Sequence, residues 1–179
     1  MSLVLTKKKV VLVDLDIRKG TLSRHFHKYP AGVTNFLADN SISVDDIIHT
    51  DPGHDNLDII SSGTVAPNPA ELLMDSRLDE LVAELRRRYD YIIADNVPVG
   101  VVADATISNR ISDLTIFVVR AGRLDRRQLP DMEELYRENK LSNMALILNG
   151  VDPRHRGYGY GYGYGYGYGY GYGKHRKKK

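Results

Sequence analysis

The chain of 179 residues contains no cysteine and no long apolar run. The absence of cysteine excludes disulfide bonds, thiolate metal sites and a cysteine nucleophile. No apolar stretch approaches the roughly 20 residues that a membrane-spanning helix needs. Near the start, Lys7, Lys8 and Lys9 follow the apolar residues instead of preceding them, unlike the order in a signal peptide. Any membrane association is therefore expected to come from a partner or from a part of the protein outside this sequence.

Acidic residues are missing from the last 23 positions. Residues 157–179 carry five of the 25 Lys and Arg residues and none of the 23 Asp and Glu residues, which leaves residues 1–156 with a net charge of −3. A nucleic-acid-binding domain would instead have basic residues along a folded face. The charge distribution therefore predicts no nucleic-acid partner.

The chain divides at residue 156 into a folding part and a tail. Residues 1–156 hold the aliphatic-rich periodic segments, whereas glycine and tyrosine alternate from residue 157 to residue 173 and a basic end follows. A two-residue repeat rich in glycine has little to pack and predicts a flexible segment. From composition alone, the eight tyrosines of residues 157–179 fit either a self-associating segment or a phosphorylation substrate equally well.

Apolar runs and helical patterns alternate along residues 1–156. Strands are predicted at 10–13, 57–60, 91–94, 114–119 and 144–148, and their continuous apolar character is typical of strands covered on both faces. The clearest helix starts with Asn68 as its cap and Pro69 at its first position, and its apolar stripe continues to Leu85. Shorter helices are predicted at 34–39 and 130–139. This alternation predicts an α/β fold with a doubly wound, mostly parallel sheet.

Two of the predicted strands end in aspartate. Asp14 and Asp16 follow the first strand, with Arg18 two residues later, and Asp95 ends the third. Ligands of such folds lie beyond the carboxyl ends of the strands, and carboxylates suit magnesium bound together with substrate phosphates. A carboxylate there could also accept a proton from an attacking hydroxyl. Each aspartate taken alone fits a helix cap or a turn equally well.

Three segments together resemble the bacterial tyrosine kinases, the P-loop autokinases of capsular and exopolysaccharide export. VLVDLDIRKG (11–20) resembles their Walker A′ motif, SGTVAPNPAELL (62–73) the following loop and helix start, and YDYIIAD (89–95) their Walker B strand. The Pro-Asn-Pro stretch separates this family from partition-type ATPases. The family also ends in a tyrosine cluster that is autophosphorylated.

The resemblance implies ATP and Mg²⁺ as cofactors and a role for each site residue. Asp14 and Asp16 would share magnesium binding and general-base work, and Asp95 would hold magnesium through water. Arg18 completes the motif, where a structural salt bridge and a phosphate contact both stay open. Asn149 lies where related ATPases contact the nucleotide base, although an asparagine after a strand is also a common turn residue. The implied acceptors of the γ-phosphoryl group are Tyr158, Tyr160, Tyr162, Tyr164, Tyr166, Tyr168, Tyr170 and Tyr172.

The sequence departs from the family pattern in two places. After Asp95 it has Asn96, Val97 and Pro98 where the family usually has Thr-Pro-Pro. More importantly, no glycine-rich loop followed by Lys and Ser or Thr occurs in the chain, so the P-loop and its strand are expected to be absent. Loop amides and a lysine normally surround the β- and γ-phosphates. The sequence therefore predicts an incomplete P-loop fold with unpaired strand edges and little kinase activity of the chain alone.

The resemblance also implies partners and a location. It implies a homo-oligomeric ring, a membrane-spanning polysaccharide copolymerase, a protein tyrosine phosphatase, and a cytoplasmic position at the inner membrane reached through a part not in this chain. The function implied is regulation of polysaccharide polymerisation and export by phosphorylation of the tail. Two alternatives stay open: a partition-type ATPase, and a catalytically dead interaction module with a phosphorylatable tail.

Overall fold

A computed structural model describes residues 3–26, 29–98 and 107–151, so the Gly-Tyr tail lies outside the described residues. The strands are β1 (Val10–Asp14), β2 (His49–Thr50), β3 (Leu57–Ile60), β4 (Tyr91–Asp95), β5 (Ile116–Arg120) and β6 (Ala145–Asn149). The α-helices in the described part are α1 (Val33–Ala38), α2 (Pro69–Met74), α3 (Arg77–Arg88) and α4 (Leu129–Arg137). None of these helices has the length and apolar character needed to cross a bilayer.

The larger sheet has the strand order β2-β3-β1-β4, with β1 parallel to both of its neighbours. Strand β1 is the apolar run that the sequence predicts at 10–13. It lies between β3 and β4, which shield it from water. The antiparallel strand β2 was not predicted, since two residues are too short to show a periodic pattern. The alternation of parallel strands and helices confirms the predicted α/β fold class.

The core lies on one face of this sheet. Val11 and Val13 of β1 pack there with Ile60 of β3, and Leu78 and Leu81 of α3 cover them. All five side chains are at most 3% exposed. The apolar stripe predicted for the long helix is therefore the stripe that α3 buries, which fixes the sheet and its strand ends in position.

The predicted helix from Asn68 to Leu85 is wrong in one respect, because it is two helices. Asp75 has extended backbone angles (φ −63°, ψ 145°), which ends α2 after Met74. The Asp75 carboxylate then accepts a hydrogen bond from the Arg77 N–H at 2.8 Å at the start of α3. At the predicted cap, the Asn68 amide donates to the Glu71 carboxylate at 2.7 Å and makes no side-chain bond to the helix backbone.

The remaining two described strands, β5 and β6, form a separate parallel pair. Within the described residues, β4 has a strand partner on only one side, and no strand joins it to β5. Apolar side chains are consequently open to solvent on both sides of this gap, including Ile93 (43% exposed) on β4 and Val118 (57% exposed) on β5. An exposed apolar strand edge of this kind favours pairing with another chain.

Ion pairs connect the β5–β6 unit to α3. Arg86 donates to the Asp113 carboxylate at 2.8 Å, and Arg110 contacts Asp79 at 3.2 Å. Arg110 also donates to the backbone carbonyl of Asp75 at 2.9 Å. Helix α3 therefore packs its apolar side against the larger sheet and forms ion pairs from its charged side with the segment before β5.

Candidate functional site

The carboxyl ends of β1 and β4 bring two aspartates side by side. Asp14 and Asp95 are directly paired in the parallel register, and the Leu15 N–H donates to the Asp95 carbonyl at 2.8 Å. Side chains at paired positions of a parallel sheet point to the same face. The two carboxylates that the sequence predicts at strand ends therefore share one face and one edge of the sheet.

Asp14 is almost completely buried, at 1% exposure, and its carboxylate is held by neutral donors. The Asp16 N–H donates to its Oδ1 at 3.1 Å, and both the N–H and the hydroxyl of Ser23 donate to its Oδ2, at 2.8 and 2.5 Å. Such bonds hold the carboxylate in place without neutralising its charge. Asp14 thus remains a source of negative potential at the strand end.

Asp16 organises the turn that follows. Its carboxylate accepts the Lys19 N–H at 3.1 Å and the Thr21 hydroxyl at 3.4 Å, and its backbone carbonyl accepts the Gly20 N–H at 2.6 Å. Gly20 has a positive φ of 59°, which closes the turn back over Asp14. The turn-forming role that the sequence left open for Asp16 is therefore real, and it does not exclude metal binding.

Asp95 responds to the charge beside it. Loss of hydration at the strand end, followed by repulsion from Asp14 and then Asp16, raises its pKa above the usual 3.8. The residue still retains contact with solvent because β4 is an edge strand. Loss of hydration and the negative charge of its two neighbours therefore both favour the protonated form of Asp95.

These carboxylates fit a divalent cation in chemistry but not as a complete set of ligands. Oxygen donors and negative potential are what Mg²⁺ requires. Among residues 3–26, 29–98 and 107–151, however, no three acidic or histidine side chains are close enough to hold a metal by themselves. Mg²⁺ commonly keeps water and substrate phosphate oxygens as ligands, so Asp14, Asp16 and Asp95 suit a site that the nucleotide completes.

The loop before α2 packs against the same strand end. Its Ser62 N–H donates to the Ser23 hydroxyl at 2.9 Å, and its carbonyl accepts the Thr34 hydroxyl at 2.6 Å. The backbones of Gly32 and Ser61 lie so close that a Cβ on Gly32 would be 2.1 Å from the Ser61 carbonyl oxygen. The Ser61 hydroxyl is buried without a hydrogen-bond partner in the described part of the chain. This loop therefore forms one wall of the site.

The other predicted residues have different surroundings. Arg18 is exposed on the turn after Asp16. Asn149 ends β6 in the separate strand pair, and its side-chain oxygen accepts the Gly150 N–H at 2.7 Å, as in a turn. Val97, where the family usually has proline, is buried at 6% exposure. The eight tail tyrosines, from Tyr158 to Tyr172, lie outside the described residues.

Sequence reasoning missed Ser23 and Ser62, which complete the hydrogen bonding around Asp14. Ser23 is nine residues from Asp14 in a short 3-10 helix (Leu22–Arg24), and Ser62 is 39 residues further on. Neither position belongs to a periodic pattern. The only signal was the glycine at position 20, whose backbone conformation allows the chain to return to Asp14.

The chain is similar to named kinases in sequence, although no family model matches it. It is 31% identical over 148 residues to the tyrosine-protein kinase CpsD of Streptococcus pneumoniae, covering 80% of this chain and 63% of CpsD. It is 34% identical over 144 residues to the tyrosine-protein kinase YwqD of Bacillus subtilis, covering 80% of this chain and 60% of YwqD. The chain thus spans less than two thirds of these relatives.

The fold is similar to solved kinase domains. The kinase domain of VpsO matches with a TM-score of 0.74 and 31% identity, and the match covers 84% of this chain and 74% of that domain. The septum-site protein MinD of Pyrococcus horikoshii matches with a TM-score of 0.63, 82% coverage of this chain and 60% of that one, but at 22% identity this likeness concerns the fold alone. The sequence matches and the strand-end aspartates agree with the resemblance found in the motifs, and the chain belongs to the bacterial tyrosine kinase family.

Proposed function

We propose that this chain is the C-terminal part of an ATP-dependent protein-tyrosine autokinase. The observation that carries the proposal is the pairing of Asp14 with Asp95 at the carboxyl ends of parallel strands, where loss of hydration and then repulsion from Asp14 raise the Asp95 pKa. The kinase names of the relatives support the reaction class. In the intact enzyme the substrates are ATP and tyrosine side chains of the tail.

Each site residue has a role in this proposal, and Asp14 and Asp16 share theirs. Asp14, Asp16 and Asp95 would hold Mg²⁺ at the edge of the sheet, and the bound cation would supply charge neutralisation for the β- and γ-phosphates. The tyrosine oxygen forms a bond to the γ-phosphorus as the bond to the β-phosphate oxygen breaks, releasing ADP. Asp14 or Asp16 accepts the phenol proton. Arg18 and Asn149 are assigned a phosphate contact and a base contact, respectively.

The tail supplies the phosphate acceptors and a charge switch. Each phosphate adds about −1.5 to −2 charge at neutral pH, so several phosphates outweigh the five basic residues of the tail. A basic tail that docks on an acidic neighbouring subunit would then be repelled. This mechanism would let phosphorylation control ring assembly and, through a membrane-spanning copolymerase, polysaccharide export. A tyrosine phosphatase partner would reset the tail.

The 179-residue chain by itself is expected to have little or no kinase activity. It contains no glycine-rich loop with a following Lys and Ser or Thr, and backbone amides of such a loop hold the phosphates in P-loop enzymes. This same observation favours a second function, a catalytically inactive interaction module whose tail is phosphorylated by another kinase. A partition-type ATPase would instead hydrolyse ATP without phosphorylating tyrosine.

Mass spectrometry of the tail tests its acceptor role and the predicted inactivity of the chain alone. Trypsin cleaves after Arg156 and Lys174, so one peptide contains all eight tyrosines. The purified chain, incubated with ATP and Mg²⁺, is expected to give no phosphopeptide alone. It is expected to give phosphopeptides when an active kinase domain of the family, such as that of VpsO, is added.

Each outcome bears on one part of the proposal. Phosphopeptides from the chain alone would contradict the predicted inactivity. Absence of phosphate even with the added kinase would contradict the acceptor role of the tail. The control is a chain with all eight tyrosines replaced by phenylalanine, which keeps the tail length and the basic end. If subunit association were the same in the phosphorylated chain and this control, the charge-switch mechanism would be wrong.

A further inference from the structure

Ser23 is a buried polar residue that none of the sequence motifs accounts for. It is 5% exposed and belongs to the short 3-10 helix Leu22–Arg24. Its N–H and its hydroxyl both donate to Asp14 Oδ2, at 2.8 and 2.5 Å. Two donors from one residue on one carboxylate oxygen restrict both the position and the rotation of that carboxylate.

The Ser23 hydroxyl also connects Asp14 to the loop before α2. A serine hydroxyl has one proton to donate and lone pairs to accept. Since the proton is donated to Asp14, the oxygen accepts the Ser62 N–H, at 2.9 Å. The direction of this chain of hydrogen bonds is therefore fixed, and it runs from the Ser62 backbone through Ser23 to Asp14.

The two oxygens of Asp14 are left with unequal capacity. Within the described residues, Oδ2 accepts two hydrogen bonds from Ser23, whereas Oδ1 accepts one, from the Asp16 N–H. A carboxylate oxygen can accept about two such bonds. Oδ1 is thus the oxygen that keeps a lone pair for a cation or for a phenol proton.

We propose that Ser23 is a positioning residue, which holds Asp14 in the one rotamer that directs Oδ1 to the reaction. This inference rests on the proposed function, because it assigns Asp14 a ligand or base role. Packing supports it, since Gly20 closes over the same contact. A Cβ on Gly20 would lie 2.4 Å from the Ser62 hydroxyl oxygen and 3.7 Å from Asp14 Oδ2. The turn at Gly20 therefore packs closely against the side chains of Ser62 and Asp14.

The test compares two variants with a matched control in the full chain. Ser23→Ala removes the hydroxyl, and Ser23→Cys keeps a side chain of similar size with a weak donor. Ser41→Ala is the control, because the N–H and hydroxyl of Ser41 both donate to Asp39 Oδ1, at 2.8 and 2.7 Å, on an exposed turn. Circular dichroism checks that each variant is folded.

Two measurements are made on each protein. The χ1 rotamer populations of Asp14 come from NMR scalar couplings without any metal. The affinity for Mn²⁺, used as the probe for Mg²⁺, comes from electron paramagnetic resonance titration, with Asp14→Asn as the reference for loss of the ligand. A residue with only a structural role would lower the melting temperature but leave the Mn²⁺ affinity of the folded protein unchanged.

We expect one dominant Asp14 rotamer in the wild type and in Ser41→Ala, and several in Ser23→Ala. Loss of a residue that orients a metal ligand typically weakens metal binding about 10- to 100-fold, so Ser23→Ala should lose about 10-fold or more, with Ser23→Cys between. A wild-type rotamer and wild-type affinity in both Ser23 variants would overturn the inference. Several rotamers in Ser23→Ala, but no Mn²⁺ binding in the wild type, would support the positioning role and overturn the magnesium assignment.

Discussion

Replacing Gly20 with alanine is expected to destabilise the protein by two separable effects. Gly20 has a φ of 59°, and an L side chain in this left-handed region costs about 1–2 kcal/mol. The new Cβ would also lie 2.4 Å from the Ser62 hydroxyl oxygen. Such overpacking typically costs about 1–3 kcal/mol. The free energy of unfolding should therefore fall by about 2–5 kcal/mol in total.

A glycine elsewhere in the chain isolates the backbone effect. Gly122 also has a positive φ, of 71°, but a Cβ there would meet no described atom within 4 Å. Gly122→Ala should thus cost only the backbone contribution, about 1–2 kcal/mol. Urea unfolding followed by circular dichroism measures both variants, with the slope against denaturant concentration as a check on two-state behaviour.

A double-mutant cycle with Ser62→Ala tests the steric effect. Ser62→Ala removes the oxygen at 2.4 Å and leaves the Ser62 Cβ at 3.4 Å, an almost normal contact. The additional cost of Gly20→Ala should then fall close to that of Gly122→Ala. Equal costs for the two glycine variants in the wild-type background would refute the packing around Asp14 on which the site is built. So would an unchanged cost of Gly20→Ala in the Ser62→Ala background.

Three further predictions concern the site, the core and the strand edges. The pKa of Asp95 is raised, so protons compete with metal for its carboxylate. The affinity for Mn²⁺ should therefore increase as the pH rises from about 4 through that pKa. Asp95→Asn should remove this part of the pH dependence. Arg77→Ala should lower the free energy of unfolding in urea by about 2–4 kcal/mol, because Arg77 donates to the Phe36 carbonyl at 2.8 Å and lies 4.2 Å over the Phe36 ring. The control, Arg87→Ala at an exposed position, should cost less than about 1 kcal/mol. Equal costs for the two variants would contradict the prediction. Val118→Lys should reduce self-association measured by light scattering, since it places a charge on an exposed strand; unchanged scattering would mean that β5 is not the associating edge.

The sheet was largely predictable because its strands are continuous apolar runs, although the expectation that both faces are covered fails at β4, which is largely exposed within the described residues. The predicted strand at 57–60 matches β3, and the runs at 10–13 and 91–94 each lie one residue short of β1 and β4. Because the carboxyl ends of parallel strands meet at the same edge of a sheet, the prediction of a parallel sheet also placed Asp14 and Asp95 at one edge. The run at 114–119 was predicted to begin two residues early, because Leu114 and Thr115 are apolar or β-branched but precede the paired part of β5.

The contacts around Asp14 were not predictable, because they join residues that are distant in sequence. Ser23 reaches Asp14, and Ser62 reaches Ser23, only after the turn at Gly20 and the loop before α2 have been placed by the fold. The break in the long helix at Asp75 was equally hidden. The apolar stripe continues across it, and only the extended backbone of Asp75 with its bond to the Arg77 N–H reveals the new start.

The buried Asp14 differs from three ion-paired aspartates of the described chain in what holds its carboxylate. Asp90, Asp113 and Asp79 are each paired with a Lys or Arg, and the bond from Lys8 lowers the pKa of Asp90. Asp14 instead receives only backbone and hydroxyl donors, so its charge remains to act on its neighbour. If Asp14 served only to stabilise the fold, an ion pair on the surface would suffice and would avoid burying its charge. Loss of hydration, together with the negative charge of Asp14 and Asp16, raises the pKa of Asp95, which disfavours its ionised form in the empty site and favours any cation that enters it.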